Sequence, residues 1–97
     1  MEINSITLEL MGYIDSNGHD IDNWCMGITK NIETGLYKNH NVKRIGKHCF
    51  ADAETNHKAY EVIKQLNKQY NIHNVTKPED EDGTIVFVFK STDYTNL

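Results

Sequence analysis

The residues best equipped for chemistry are five histidines (His19, His40, His48, His57, His73) and two cysteines (Cys25, Cys49). A structural zinc site needs ligands paired at short spacing, as in Cys-x2-Cys or His-x3-His. His48 and Cys49 are adjacent and point to opposite faces of an extended strand, and no other spacing fits. The histidines therefore read as surface or hydrogen-bonded core residues, and the cysteines as small buried apolar groups. The acidic run Glu79–Asp82, EDED, resembles a calcium loop only in composition. Counting from Gly83, the first ligand position is Pro78 and the closing glutamate position is Phe89, so a solvated loop is expected. The sequence carries neither a local Ser-His-Asp or Cys-His signature nor a glycine-rich phosphate loop. Asn74-Val75-Thr76 fits a glycosylation acceptor, which has no meaning without a secretory signal.

The formal net charge of −4 argues against a general DNA binder, because phosphate neutralisation needs a basic face. The charges are unevenly spread. Residues 38–47, KNHNVKRIGK, carry Lys38, Lys43, Arg44 and Lys47 and no acid, which makes a local basic patch. At 97 residues the chain has room for one domain and one core, and 38% hydrophobic with 25% charged residues is a globular balance. MEINSITLEL lacks the basic start of a signal peptide, and no apolar run approaches a membrane span. A cytoplasmic protein without a membrane partner is expected.

Six elements must position these groups. Ile3, Ile6, Leu10, Tyr13 and Ile14 fall at helical spacing over residues 4–16, with Ser5 as a cap. Trp24–Thr29 reads as a strand, and Gly27 within it suggests close approach by a backbone or a ligand. Asn31 can cap a helix over about 32–40, in which Gly35 is a poor former. Residues 43–50 read as a second strand. Asp52 caps the longest helix, over about 53–71, with a stripe of Ala59, Tyr60, Ile63, Leu66 and Tyr70. A polar connection follows, then the strand TIVFVFK over 84–90. The order α–β–α–β–α–β in so short a chain fits α+β: a small three-stranded, mostly antiparallel sheet with helices packed on it. If the two cysteine-bearing strands pair, a cross-strand disulfide is geometrically possible. An exposed edge strand makes a homodimer a natural assembly.

WCMGIT, KNIETGL and YKNHNV, followed by FADAETNHKAYEVIK and TIVFVFK, together resemble the GIY-YIG endonuclease superfamily, especially its small single-domain bacterial forms. The resemblance covers about residues 23–90. Cys25-Met26-Gly27-Ile28-Thr29 stands in the Tyr-Ile-Gly position. Leu36 and His40 keep a Leu and a His of the following helix, and Glu61 falls where the catalytic glutamate would be. The resemblance implies a GIY-YIG-like fold, His40 and Glu61 as catalytic residues, and Glu61 as the ligand of one Mg²⁺. Small proteins of this style occur in bacteria and in their phages and mobile elements. Three departures stand against activity, the first being that the preceding Gly-Ile-Tyr strand has no match, with Ile21-Asp22-Asn23 in its space. The tyrosine position is Cys25, and the arginine position is Gly35, or Thr34 if shifted by one. A lone carboxylate cannot supply the lost positive charge at the cleaved phosphate.

The expected function is thus a catalytically defective GIY-YIG-like domain acting as a binding module. Its partner would be another protein, or a nucleic acid held weakly by Lys38, Lys43, Arg44 and Lys47. One alternative is an active Mg²⁺-dependent endonuclease using Glu61, His40 and one of Tyr13, Tyr37 or Tyr60. Another is a small protein-binding inhibitor unrelated to nucleases, in which residues 25–28 and 85–89 would not be neighbouring strands. Glu61 also has a plain reading as a solvated helix residue, nearly opposite the apolar stripe, and His40 as a helix-terminal histidine beside the dipole.

Overall fold

Ile6, Leu10 and Ile14 recur at the helical interval, and helix α1 spans Ile3–Ser16 with all three side chains fully buried. The computed structural model describes residues 3–17, 23–42, 47–70, 72–92 and 95. Ser5 lies inside α1, not at its cap, because the helix has already begun at Ile3. Strand β1 spans Trp24–Thr29 with every residue buried. The chain then makes a wide π-helical turn, Glu33–Lys38, closed by Asn39 N–H donating to Thr34 C=O at 2.9 Å. Asn31 Oδ1 accepts the Glu33 N–H at 2.8 Å at the start of this segment, which is shorter than the expected helix over about 32–40. Strand β2 (His48–Asp52), helix α2 (Asn56–Tyr70), strand β3 (His73–Asn74), a 3₁₀ turn (Pro78–Asp80) and strand β4 (Ile85–Lys90) follow.

The sheet is α+β in setting but has four strands, not three, in the order β2-β4-β1-β3. β4 pairs antiparallel with β1 along six residues, and with β2 along five. Residues 25–28 and 85–89 are therefore neighbours, a pairing common to many α+β folds. The additional strand is β3, parallel to β1 through Cys25↔His73 and Met26↔Asn74. It has no alternating apolar run because both its residues are exposed. Its anchors lie just outside it: Ile72 is buried among the aliphatic core and Val75 on the opposite face, where its N–H donates to Met26 C=O at 2.8 Å.

The sheet separates two cores. On one face, Trp24, Met26 and Ile28 of β1 and Val86 and Val88 of β4 pack against α1 and α2. On the other, Cys25, Phe87 and Phe89 pack with Leu36, Val42 and Val75. The Trp24 ring meets Tyr13 edge-on at 5.9 Å, and its buried indole N–H has no acceptor among the described residues. Gly27 leaves room for the Phe87 ring, which crosses it so closely that a β-carbon would collide. The close approach expected at this glycine is made by an aromatic side chain.

Two helix details differ from expectation. Asp52 ends β2 instead of capping α2. Its Oδ1 accepts the Glu54 N–H at 2.8 Å, and this short turn accommodates Glu54 at a φ of 74°. Thr55 takes the capping role, its Oγ1 accepting the Lys58 N–H at 3.1 Å. Tyr60 leaves the apolar stripe, and Val62 replaces it. Tyr60 reaches outward so that its hydroxyl donates to Glu81 C=O at 2.9 Å. The cysteines cannot bridge, because β4 lies between β1 and β2 and the two side chains serve opposite faces. Among the described residues no helix is long and apolar enough to cross a membrane.

Candidate functional site

α2 packs on the aliphatic face, and its flank meets the edge strand β3 across a groove of about 790 Å³. Met26, Ile63 and Ile72 are themselves closely packed and line an apolar floor. Tyr60, Glu61, Lys64, Asn67, His73 and Asn74 surround it. Tyr60 and Asn74 are already engaged: Asn74 Oδ1 accepts the Thr76 hydroxyl at 2.6 Å and its N–H at 3.0 Å. The side chains of Glu61, Lys64, Asn67 and His73 have no hydrogen-bond partner among the described residues and can present their polar heads to a ligand. A carboxylate, an ammonium, an amide and an imidazole around an apolar floor suit an amphipathic ligand, with one apolar group seated and polar groups at its margins.

Glu61 is thus half-buried at a groove margin, not fully solvated. Among the described residues it is the one carboxylate lining that groove, and Lys64 stands one turn further along the same helix. Mg²⁺ requires near-octahedral oxygen ligation, so this donor set would leave most ligands to water and substrate. Among the described residues no group of three or more His, Cys, Asp or Glu side chains is placed to hold a metal ion. The residues present fit Mg²⁺ poorly.

His40 lies on the other side of the sheet. It is 1% exposed, with its ring 5.7 Å from Phe87 and 5.4 Å from Phe89. It is a buried member of the aromatic core, placed just beyond the C-terminal end of the π-helical turn. β1 and β4 stand between it and Glu61, so the two cannot act on one reacting atom. Cys25 faces the same aromatic core, and burial pushes its thiol pKa up. Gly35 has no room for any side chain, because a β-carbon there would occupy the position of the Thr29 hydroxyl. Of the tyrosines considered, Tyr37 donates to or accepts from His48 Nε2 at 2.8 Å, and Tyr13 Oη accepts the His48 N–H at 3.0 Å.

Lys38 and Lys47 are both exposed and flank the Tyr37–His48 contact in sequence. Lys43 and Arg44 lie outside the described residues. The acidic run is less solvated than its composition suggests. Asp80 is buried, its Oδ1 accepting the Lys30 N–H at 3.2 Å, and Asp82 pairs with Lys30 Nζ at 3.1 Å. The groove itself was beyond sequence reasoning. Its one legible signal is the isolated pair Ile72 and Val75 in an otherwise polar connection, which marks a segment tied down on both faces.

No protein-family model matches this chain, and neither the curated proteins nor the solved structures include one similar to it.

Proposed function

We propose that this chain is a binding module and not a hydrolytic enzyme, a catalytically defective domain of GIY-YIG-like descent. The single observation that carries the reading is the position of the sheet between Glu61 and His40. Chemistry by general acid–base pairs requires both groups within hydrogen-bond reach of the substrate. Two further features support it: the closed aromatic surroundings of Cys25, and the absence of space at Gly35 for the arginine such a nuclease uses.

The binding surface in this reading is the groove between α2 and β3, and the occupant is a polypeptide segment of a partner protein. One apolar side chain of that segment seats over Met26, Ile63 and Ile72, and its flanking polar groups meet Glu61, Lys64, Asn67 and His73. The mixed charge of the rim favours a polypeptide over the uniformly anionic nucleic acid backbone.

The test has two arms. Plasmid incubated with the protein and Mg²⁺ or Mn²⁺ is expected to remain supercoiled. Nicking that disappears in Glu61→Ala would establish the endonuclease reading instead. In the second arm, tagged protein captures partners at low and high salt. Recovery of one protein, lost on Ile63→Lys or Lys64→Glu, is expected. Salt-sensitive recovery of nucleic acid, unaffected by those variants and lost on Lys38→Glu with Lys47→Glu, would overturn the groove as the contact surface.

A further inference from the structure

β3 ends the sheet on the side beside the groove, and its two residues, His73 and Asn74, are both exposed. Val75 N–H donates to Met26 C=O at 2.8 Å, which sets the phase of this short parallel ladder. Backbone groups of successive strand residues turn to opposite sides, so His73 turns its own to β1 and Asn74 turns its own away from the sheet. The chain does not fold back over this edge at Thr76, whose hydroxyl stays on β1 and accepts the Ile28 N–H at 3.0 Å. The Asn74 side chain is occupied, because its Oδ1 accepts both the Thr76 N–H and the Thr76 hydroxyl. Its backbone N–H and C=O, in contrast, have no partner among the described residues.

Side chains follow the same phase. In register, Asn74 stands beside Met26 on the α2 side of the sheet, and His73 beside Cys25 of the aromatic face. A residue set directly opposite Asn74 on a further strand would point its side chain to the α2 side, over Met26, Ile63 and Ile72. The unpaired backbone groups and the apolar floor can therefore serve one and the same ligand residue. A helical ligand spends its backbone groups on its own turns and offers Asn74 neither a donor nor an acceptor.

We infer that the groove takes its polypeptide as an added β-strand, antiparallel to β3, and not as a helix. The inference rests on the groove reading above and deepens it. One apolar residue of the partner faces Asn74, donates its N–H to the Asn74 C=O and accepts the Asn74 N–H. The side chain of that residue seats on the floor between β3 and α2. Antiparallel pairing is the arrangement in which a single residue returns both bonds. The partner residues two positions away come back to the α2 side, where Glu61 and Lys64 select side chains of opposite charge. Main-chain bonds then supply affinity and the seated side chains supply specificity. With only two residues in β3 the added ladder is short, so the complex is reversible.

The probe is a random dodecapeptide library displayed on phage and selected against the whole chain, from which one selected peptide is synthesised. Its binding should be lost on Ile63→Lys and on Lys64→Glu, and Lys64→Glu, on the exposed rim, decides should the Ile63 variant unfold. Saturating peptide should slow hydrogen exchange at the Asn74 amide. N-methylation of the apolar anchor residue should weaken binding by roughly tenfold, and N-methylation of either immediate neighbour by much less. Asn74→Pro removes the outward N–H without removing a bond to β1 and should weaken binding similarly. A peptide lost on Lys64→Glu but indifferent to N-methylation at every position, with Asn74 exchange unchanged, overturns the added strand and leaves the groove as the binding surface. A library that yields no peptide dependent on Ile63 and Lys64 overturns the groove, and this inference with it.

Discussion

Thr29 and Gly35 lie so close that the Thr29 hydroxyl fills the space a side chain at Gly35 would need. The same hydroxyl accepts the Asn31 N–H at 3.1 Å and donates to Asn31 C=O at 2.9 Å. The end of β1, the turn and the π-helical segment are thereby locked together. What looked like a poor helix residue is the point where the turn presses against the strand. Gly35→Ala should lower stability by about 1–3 kcal/mol through overpacking, read as a lower urea midpoint at unchanged slope. Gly35→Arg should be worse and should not create nicking activity. A stable Gly35→Ala variant would show that the turn can move away from Thr29.

Asp80 closes the other side of the same junction. It is buried and accepts the Lys30 N–H, while Gly83 packs against the Thr29 backbone too closely for a β-carbon. Asp80→Ala should cost about 1 kcal/mol, the net worth of the hydrogen bond that the Lys30 N–H would lose. Asp80→Asn keeps an acceptor and should cost less. Hydrogen exchange at Lys30 distinguishes the two, with protection lost in the alanine variant and retained in the asparagine variant.

Tyr70 ties α2 to α1, its hydroxyl donating to Asp15 Oδ1 at 2.8 Å. Burial, followed by the Asp15 hydrogen bond and charge, pushes its pKa up to about 12 from 10. A raised pKa in the folded state means that the protonated hydroxyl is favoured there. The resulting stability is complete below pH 10 and is lost as pH rises from there to about 12. Tyr70→Phe should cost about 1 kcal/mol at neutral pH and should flatten the fall in stability across that alkaline window. An unchanged alkaline profile in the variant would assign the transition to another group.

The two thiols should separate kinetically. Burial raises the pKa of both, and the Glu9 charge adds to the rise at Cys49, partly offset by a hydrogen bond from the Phe50 backbone. Cys25 is 4% exposed, whereas Cys49 is half-buried on an outer strand. A maleimide reagent should modify Cys49 first, at a slow rate, and Cys25 only as fast as the sheet opens. Mass spectrometry of partly labelled protein checks the order. Simultaneous labelling of both would mean that β1 is far more accessible than its packing indicates.

The elements with strong periodicity were legible from sequence. Trp24–Thr29 is a strand at the expected boundaries, and α1 buries the expected Ile6, Leu10 and Ile14. Boundaries set by short polar contacts were harder to read. Asp52 looks like a helix cap, yet the turn it makes with Glu54 delays α2 until Thr55 can cap it. β3 was invisible because two exposed residues have no pattern, and only their neighbours Ile72 and Val75 are held by burial. The groove depends on that strand, so it was invisible for the same reason. The opposition of Glu61 and His40 across the sheet is likewise a property of strand order, which spacing along the chain does not encode.

That strand order has a consequence for biosynthesis. Of the four described strands β4 leaves the ribosome last, yet it lies between β1 and β2 and supplies most of the pairing in the sheet. A nascent chain that has emerged as far as the 3₁₀ turn can form only the two-residue parallel ladder between β1 and β3. Its Trp24–Thr29 segment remains an unpaired apolar ribbon until Ile85–Lys90 arrives. The sheet therefore cannot close until β4 has emerged, and the interval before that is when a holding chaperone would matter most.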